Sequence, residues 1–269
     1  MTGTGVRGAL RRVVLIVTAL TALAGAGGCG TSSDGGDGRP GASAAAGAPA
    51  GLREAARATE AAGSARVEST TRIGSTISLT ADGVLGWANG VTGTLTLTYT
   101  GGSMADTLRR LGSTSMEARY LPDAYYARMG DAFAAQAGGR HWVRYAYDDL
   151  ADLAGGSGAR LGDRMRESTP DRSLRLLLAS EEVREVGEER VRGRRTTHYS
   201  GTVETPEAEV TGQSVDVWID DRGLLVKKVE KARTTTGELT QTAFYGDYGA
   251  EVRAARPPAH DTRDVTDLL

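Results

Sequence analysis

The sequence of 269 residues predicts an α+β fold in which one curved antiparallel sheet carries helices on its concave side. Three observations predict it. Apolar and polar residues alternate with a period of two in one segment after another, which is typical of strands with one buried face. Turn sequences such as Asp220-Asp221-Arg222-Gly223 separate neighbouring segments and favour hairpins. A helical pattern occurs only at the start of this region and in its middle, which predicts a few helices beside a long meander.

The first half of the domain combines one helix with six strands. Residues 52–62 are rich in good helix formers and are followed by a glycine that ends the helix. The clearest strand has Leu95, Leu97 and Tyr99 in alternation with threonines, so these three side chains share one face. A turn or bulge is expected at 82–83. The strands are predicted at 66–73, 76–87, 92–100, 115–120, 124–129 and 140–147.

A helical block follows in the middle of the chain. Short helices are predicted at 148–153 and 161–167, on either side of a glycine-rich segment at 155–158. Thr169 and Pro170 then suit the N-cap and the first position of a further helix.

This further helix, predicted at 171–180, has an apolar stripe formed by Leu174, Leu177 and Leu178. The stripe is suited to lie opposite the strand of Leu97 as a partial lid, and the glycine-rich segment before it would let the lid move. Later strands are predicted at 183–187, 190–204, 214–220, 224–232, 234–245 and 250–253, and the prolines at 257–258 are expected to end the sheet.

Residues 1–28 have the features of an export signal. Arg7, Arg11 and Arg12 form a basic start, and 13–23 form an apolar stretch that is shorter than a membrane span of about 20 residues. Small residues lead directly to Cys29, an arrangement that resembles the cleavage site of bacterial lipoproteins. The adjacent arginines also permit twin-arginine export, so both export routes stay open.

Cys29 is the only cysteine, so it cannot form a disulfide within the chain. Beside an export signal, we interpret it as the mature N-terminus with a thioether-linked diacylglycerol; an unmodified thiol is the alternative. Acyl chains contribute about 0.8 kcal/mol per buried CH₂, so two or three of them anchor a protein stably. Residues 29–51 are a Gly/Ala/Ser/Pro tether with a typical span of about 26 Å, which would hold the domain at the outer face of the cytoplasmic membrane.

Length and composition predict the domain boundaries. Residues 52–258 suit one domain with a sizeable core, and 259–269 are expected to be a C-terminal tail.

Charge and composition also limit the kinds of partner and the kind of source organism. The formal net charge of −2 gives no electrostatic case for nucleic acid. Abundant Arg, Ala and Gly with few lysines indicate a GC-rich genome, such as that of an actinobacterium. We expect a monomer whose partners are the membrane, a hydrophobic lipid and envelope transport or assembly proteins.

The late hairpin VDVWIDDRGL, together with the export signal, Cys29, the first helix and the long meander, resembles the LolA/LppX-like (LppX/LprG-type) lipoproteins of actinobacteria. Trp218 and Gly223 are its most specific marks, and the resemblance covers roughly residues 52–258. The resemblance implies a half-barrel of antiparallel strands wrapped over helices, with a cavity for acyl chains. It also implies lipid binding or transfer at the cell envelope without catalysis, and it brings no catalytic residues.

No catalytic, metal or cofactor motif occurs in a suitable context. The letters GxGxxG at 3–8 fall inside the export signal, with no strand before them. His141, His198 and His260 have no cysteine or second histidine close in sequence, which favours solvated or hydrogen-bonded histidines over metal ligands. The acidic pair at 220–221 fits a turn better than general acid–base chemistry. We therefore expect no enzyme, no metal and no cofactor.

Two functions follow from these patterns. The leading hypothesis is a lipid-anchored carrier or receptor for a hydrophobic molecule, which requires an apolar cavity. The alternative is an anchored interaction or sensor module with a filled core. A hydrolase with an unrecognised site is the least favoured. The candidate cavity residues are Leu95, Leu97, Tyr99, Trp142, Leu174, Leu177 and Leu178, with core packing as the competing role for the tryptophan.

Overall fold

The computed structural model describes residues 49–149, 169–203 and 210–268. The predicted glycine-rich segment and most of the two helices beside it lie outside these ranges. The helices are α1 (Ala50–Ala62), α2 (Gly102–Arg110), α3 (Asp131–Ala134) and α4 (Pro170–Ala179), and two 3₁₀ turns occur at Ala259–Asp261 and Thr266–Leu268. The strands are β1 (Ser64–Ile73), β2 (Ile77–Gly86), β3 (Thr92–Gly101), β4 (Ser115–Tyr120), β5 (Ala124–Arg128), β6 (Trp142–Ala146), β7 (Arg184–Val191), β8 (Arg194–Val203), β9 (Val210–Asp220), β10 (Leu225–Thr234), β11 (Gly237–Gly246) and β12 (Thr262–Asp264).

In the described part of the chain the strands form one sheet in the order β12-β6-β5-β4-β3-β2-β1-β11-β10-β9-β8-β7. Neighbours are antiparallel except β12, which runs parallel to β6. Two meanders, β1–β6 and β7–β11, are joined by the β1–β11 pair, in which Val67 lies opposite Tyr245. The predicted large antiparallel sheet is confirmed, whereas its wrapping into a half-barrel stays a prediction.

The single long strand predicted at 190–204 is wrong, because the chain reverses at Arg192 and Gly193. Both residues have positive φ, 49° and 83°, and Val191 pairs with Arg194 across them. Such two-residue turns match the twist of a hairpin, although positive φ is uncommon for a residue with a side chain. The Arg192 guanidinium donates to both carboxylate oxygens of Glu68 at 3.1 and 2.9 Å, which helps to hold this turn.

The turn or bulge predicted at 82–83 is also wrong, since β2 runs through these residues. Asp82 pairs with Thr96 of β3 and with Glu68 of β1. Its carboxylate accepts two hydrogen bonds from Arg66 on β1, at 2.8 and 2.9 Å. An aspartate and a glycine are thus kept inside a strand by contacts with neighbouring strands, which a local turn pattern does not include.

Helices α2 and α3 are absent from the sequence-based prediction. Helix α2 follows β3 directly, so the β3–β4 connection is a helix rather than a tight hairpin. Met104, Ala105 and Leu108 are its buried residues. Phe133 of the short α3 is also fully buried. These segments supply side chains to the apolar face of the sheet.

The C-terminal segment crosses the outer face of the sheet as a strap. The carbonyl oxygen of Arg253 accepts from Thr94 on β3, and that of Ala255 accepts from Arg119 on β4. Arg256 then donates to both oxygens of Asp123, at 2.9 Å each. The chain continues past the prolines at 257–258, where the sequence predicted the sheet to end, because β12 pairs with β6. The short strand predicted at 250–253 is coil.

A histidine links this strap to the sheet. The Nδ1 atom and the backbone N–H of His141 both lie 2.9 Å from Asp261 Oδ1, and Nε2 lies 3.3 Å from Asp131. The hydrogen bond to Asp261, with a further contribution from Asp131, raises the pKa of His141 above its ordinary value.

We expect this link to make stability depend on pH. A histidine whose pKa is raised by folding contributes stability below its unfolded pKa of about 6.5 and loses that contribution as pH rises through the raised value. The melting temperature of the wild type should therefore fall more steeply from about pH 6 to about pH 8 than that of His141→Gln. Equal slopes in thermal unfolding followed by circular dichroism would show that the histidine link has no effect.

Gly223 completes the turn between β9 and β10. Its φ is 75°, and its N–H donates to the Asp220 carbonyl at 2.9 Å. The Asp220 carboxylate accepts from the backbone N–H groups of Arg222 and Leu224, at 3.1 and 3.0 Å, which supports a turn role for this carboxylate. A Cβ at Gly223 would meet only the Ala58 Cβ, at 3.9 Å, so the conformation rather than space requires glycine.

We expect Gly223→Val to destabilise the fold through this backbone strain. Left-handed backbone costs a residue with a side chain about 1–2 kcal/mol, which for a domain of this size lowers the melting temperature by about 2–8 °C. Gly223→Asn is the matched control, because asparagine adopts positive φ more readily and should cost less. If valine and asparagine leave the melting temperature equally unchanged, the assigned turn is wrong.

Candidate functional site: the apolar face of the sheet

One face of the sheet carries two buried apolar clusters. Val67 and Ile73 lie six positions apart on β1, so they share a face, yet they belong to different clusters. The β3 cluster includes Ile73, Leu79, Leu95, Leu97, Tyr99, Leu108, Met116, Tyr125, Phe133, Val143 and Tyr145. The β9 cluster includes Leu52, Ala55, Val67, Leu174, Leu177, Tyr199, Val215, Val217, Leu225, Ala243 and Tyr245. Helices α1 to α4 all contribute to this face.

Leu95, Leu97 and Tyr99 lie together in the β3 cluster. Their exposed fractions are 4%, 1% and 1%, and the intervening Thr96 is exposed. The structure therefore places the three candidates on one buried face, with Leu97 opposite Ala81 of β2 and Met116 of β4.

The leucines of α4 lie elsewhere. Leu174 and Leu177 are fully buried in the β9 cluster, and Leu178 packs against that cluster while partly buried. The expectation that this stripe lies opposite Leu97 is not met, because α4 packs against α1 and against β8, β9 and β10. A helix stripe predicts burial, but its partner depends on contacts distant in sequence.

Trp142 lies on the opposite face from the other candidates. Val143 and Tyr145 of β6 belong to the β3 cluster, so the alternation of a strand directs Trp142 outward. It packs with Ala124 and Tyr126, and the Arg119 guanidinium lies 4.5 Å from its ring centre. This placement assigns Trp142 to outer-face packing.

Trp218 also packs on the outer face. Its ring stacks on His198 with 4.2 Å between centres, and its Nε1 donates to Glu189 at 2.9 Å. The Lys227 ammonium lies 3.8 Å from the ring centre. These contacts fit the structural role that the hairpin pattern indicates for Trp218, and they join four strands, β7 to β10.

A group of buried tyrosines in the β3 cluster was missed by sequence analysis. Tyr125 packs against Tyr120 and Tyr145, with ring centres 5.1 and 5.6 Å apart. Among the described residues, the hydroxyls of Tyr99, Tyr125 and Tyr145 have no hydrogen-bond partner, and each is inaccessible to solvent. Burial raises the pKa of all three, and neighbouring tyrosines raise that of Tyr125 further. The hydroxyls are therefore neutral donors inside an apolar region.

A polar row separates the two clusters on the central strands. The row consists of three residues that pair directly across neighbouring strands: Glu230 on β10, Gln241 on β11 and Thr71 on β1. The same line of paired residues continues with Leu79 on β2 and Tyr99 on β3. Gln241 donates to Thr71 Oγ1 at 3.3 Å. Four strand spacings of about 4.8 Å separate Glu230 from Tyr99, or about 19 Å.

The β10 end of this row carries a buried ion pair. Lys228 Nζ donates to Glu230 Oε1 at 2.9 Å and to Ser173 Oγ of α4 at 3.1 Å. Ser173 Oγ donates to the same Glu230 oxygen at 2.7 Å. Burial opposes the charge on Lys228, but the Glu230 carboxylate raises its pKa overall, so the lysine is protonated.

The site combines buried apolar side chains with a few polar groups that form hydrogen bonds. Across the described ranges, no group of three or more His, Cys, Asp or Glu side chains could hold a metal ion. The helices that the structure describes are all too short or too polar to span a bilayer.

Comparison with known proteins identifies relatives. No protein family model matches the chain. "Putative lipoprotein SCO4650" of Streptomyces coelicolor is 64% identical over 218 residues, which cover 81% of this chain and 75% of the relative. "Uncharacterized 31.2 kDa protein in rplA-rplJ intergenic region" of Streptomyces griseus is 46% identical, covering 82% of this chain and 80% of the relative.

Solved structures of two mycobacterial proteins are also similar. LprF from Mycobacterium bovis has a TM-score of 0.46 and 17% identity, covering 82% of this chain and 99% of LprF. Lipoprotein LppX from Mycobacterium tuberculosis has a TM-score of 0.49 and 16% identity, covering 77% of this chain and 97% of LppX. LppX belongs to the group that the sequence resembles. The 64% identity across most of both chains shows that this chain belongs to the Streptomyces lipoprotein family that contains the S. coelicolor relative.

Proposed function

We propose that the protein is an exported, lipid-anchored lipoprotein that binds the acyl chains of a hydrophobic ligand on the apolar face of its sheet, without catalysis. In this proposal the domain is a half-barrel wrapped over its helices, and the ligand occupies an apolar cavity there. Leu95, Leu97 and Tyr99 line the part of the cavity that the β3 cluster forms. Leu174, Leu177 and Leu178 border the part formed by the β9 cluster.

The observation that carries this proposal is the set of buried tyrosine hydroxyls. A buried hydroxyl without a partner costs about 1–3 kcal/mol, and native structures rarely leave several together. Phenylalanine would fill a closed core without that cost. The described residues provide no acceptor for the hydroxyls of Tyr99, Tyr125 and Tyr145. A ligand with ester or carboxyl oxygens would provide these acceptors. Before the ligand binds, water would take its place.

The anchor completes the proposal. Residues 1–28 are removed, Cys29 carries the lipid, and the tether leads to α1, which begins at Ala50, within the predicted end of the tether at 51. The protein then stands at the outer face of the cytoplasmic membrane, where a lipid ligand is within reach. Its further partners would be envelope transport or assembly proteins.

The alternative is an anchored interaction or sensor module with a filled core. The burial of Leu97, Leu174 and Leu177 favours it, since protein atoms alone leave these side chains 1%, 0% and 0% exposed. In that case no ligand occupies the face, and binding to other envelope proteins would use the outer surface.

Lipid analysis separates these functions. We expect the full chain, produced in an actinobacterial host and purified in mild detergent, to carry a stoichiometric lipid in addition to the anchor. Mass spectrometry of a non-covalent extract would identify that lipid. The delipidated protein, transferred to an amphipol, should then bind a fluorescent fatty-acyl probe. No co-purified lipid together with no probe binding would favour the filled-core module.

A further inference from the structure

A polar cleft lies at the end of the sheet that is far from the turn at Gly223. Its volume is about 630 Å³, and it is formed where β8 and β10 end and where β9 and β11 begin. It is separate from the apolar face, because its charged and hydroxyl side chains come mainly from the outward positions of these strands. The polar lining residues are Thr202, Ser214, Lys231, Arg233, Glu238 and Thr240.

A bulge in β9 shapes this cleft. Ser214 pairs with Lys231 and Thr211 pairs with Arg233, so β9 has one residue more than β10 between these pairs. Gly212 lies in the bulge with a φ of 59°, and a Cβ there would meet no heavy atom within 4 Å among the described residues outside its chain neighbours. A bulge bends its strand and redirects the adjacent side chains. Here it coincides with open space beside two cations.

Hydroxyl and cationic side chains alternate across the outer face at this end. A row of directly paired residues crosses five strands, from β9 to β2, and every second member is a cation. Neighbouring strands lie about 4.8 Å apart, so the two cations of the row are about 10 Å apart at the backbone. In order, the row consists of Ser214, Lys231, Thr240, Arg72 and Ser78.

The cations at this end are available to bind an anion. Within the described ranges, Lys231, Arg233 and Arg72 are exposed and take part in no ion pair or side-chain hydrogen bond. Arg66, nearer the middle of the same outer face, is instead neutralised, because it donates to both carboxylate oxygens of Asp82. The three cations thus keep their positive charge for a partner.

One carboxylate lies among them and narrows the choice of anion. Glu238 pairs with Arg233 in the strand register, yet it forms no ion pair with any side chain that the structure describes. Three cations and one carboxylate give this end a formal charge of +2, on a chain whose formal net charge is −2. The hydroxyls of Thr202, Ser214 and Thr240 can donate to phosphate oxygens, and Glu238 can accept from hydroxyl groups. The cleft therefore suits an anion that also carries hydroxyls.

The tether brings such anions within reach. From Cys29 to Ala50 the chain extends to at most about 70 Å, whereas a strand of ten residues such as β10 is about 33 Å long. An anchored domain can therefore turn this end of the sheet toward the bilayer that holds the anchor. A bilayer presents many phosphodiester groups at high effective concentration, so a few cations are sufficient to bind it.

We propose that this cleft and the adjoining cation row dock the domain on the bilayer by binding anionic phosphodiester headgroups that carry hydroxyls, such as phosphoglycerol. The inference rests on the anchor of the proposed function and is independent of acyl binding inside the sheet. Each Lys or Arg near an anionic bilayer strengthens binding about fivefold, so three give about 100-fold, which Glu238 reduces to about 20-fold.

Fluorescence quenching at two positions of the domain tests this docking. Cys29 is the only cysteine and its thiol is acylated in the proposed anchor, so an added cysteine can be labelled selectively. Thr235→Cys places a dye in the β10–β11 turn beside the cleft, and Asp221→Cys places it in the turn at the opposite end of β10; both positions are exposed. The full acylated chain is inserted into nanodiscs that contain a lipid with a quencher on its headgroup.

In nanodiscs rich in phosphatidylglycerol, we expect the dye at 235 to be quenched at least about threefold more than the dye at 221, because the cations hold this end at the bilayer. In phosphatidylcholine alone the two dyes should be quenched equally. In about 1 M salt the difference should disappear, since the Debye length is then about 3 Å.

A pair of charge variants assigns the effect to the cleft. Lys231→Gln with Arg233→Gln should remove the difference between the two dyes in phosphatidylglycerol. The control Arg57→Gln with Arg195→Gln removes the same charge from exposed positions outside the cleft and should keep the difference. All four side chains are exposed, so both variants should fold, which circular dichroism checks.

The outcomes separate this inference from the proposed function. Equal quenching of the two dyes in phosphatidylglycerol, stronger quenching at 221, or a difference that survives high salt or the loss of both cations would overturn the docking surface, while the anchor and acyl binding stand. Equal quenching together with binding of soluble poly(glycerol phosphate) would assign the cleft to a soluble anion instead. If the nanodiscs do not retain the chain at all, the anchor fails and this inference fails with it.

Discussion

Replacing Cys29 with serine is expected to release the protein from the membrane fraction. The serine hydroxyl cannot form the thioether that holds diacylglycerol, and two acyl chains supply most of the membrane affinity of such an anchor. The apolar stretch at 13–23 is too short to replace it as a span, since a span needs about 20 residues. Cell fractionation with high-salt washing measures the release from the membrane. Mass spectrometry of the N-terminal peptide measures the loss of the acyl chains.

Ser33→Ala is the control, because it makes an equally small change in the tether and leaves Cys29 in place. This control should stay in the membrane fraction with the acyl mass on its N-terminal peptide. Continued membrane association of Cys29→Ser after washing would rule out Cys29 as the anchor. The result bears on localisation alone, so it leaves the ligand question to experiments on the domain.

Local patterns in the sequence determine much of the sheet. Alternation along β3 is sufficient to place Leu95, Leu97 and Tyr99 on one face, because a strand offers only two faces and threonines occupy the other. Turn chemistry likewise predicts the reversal after Asp220. The hairpin at Arg192 was missed because arginine at positive φ has no strong local signal, and its contact with Glu68 comes from a strand far away in sequence.

The site depends more strongly on contacts between distant segments. Tyr125 and Tyr145 each point inward by simple alternation, but their contact with each other requires the register of β5 to β6. Tyr99 lies in a different row of the sheet, and its influence on the pKa of both depends on packing across the apolar face. Lys228 and Glu230 form an ion pair and lie two residues apart on β10. The same spacing is common on the exposed face of a strand. Only the packing of α4 over β10 turns this pair into a buried cluster with Ser173. Sequence patterns thus predict which side chains face inward, and tertiary packing decides which of them meet.

Leu97→Trp is expected to weaken acyl binding strongly while leaving the protein folded. Leu97 is 1% exposed in the β3 cluster, between Ala81 and Met116 on the neighbouring strands. If a ligand fills space beside this side chain, the larger ring occupies that space, and the affinity for a fluorescent fatty-acyl probe should fall by at least about tenfold. Thr96→Trp is the matched control, since it adds an indole ring to the same strand on the exposed face.

The same variant also tests the filled-core alternative. In a close-packed core, inserting a larger side chain costs about 1–3 kcal/mol, which corresponds to a melting temperature about 2–12 °C lower in a domain of this size. In a ligand-binding cavity the ring enters space that side chains do not fill, so the melting temperature of the delipidated protein should stay close to that of the wild type. Circular dichroism and probe titration on both variants therefore distinguish the two functions. Lost binding with an unchanged melting temperature supports the carrier. A large fall in melting temperature, with no probe binding even in the wild type, supports the module, because the apolar face is then already filled by the protein itself.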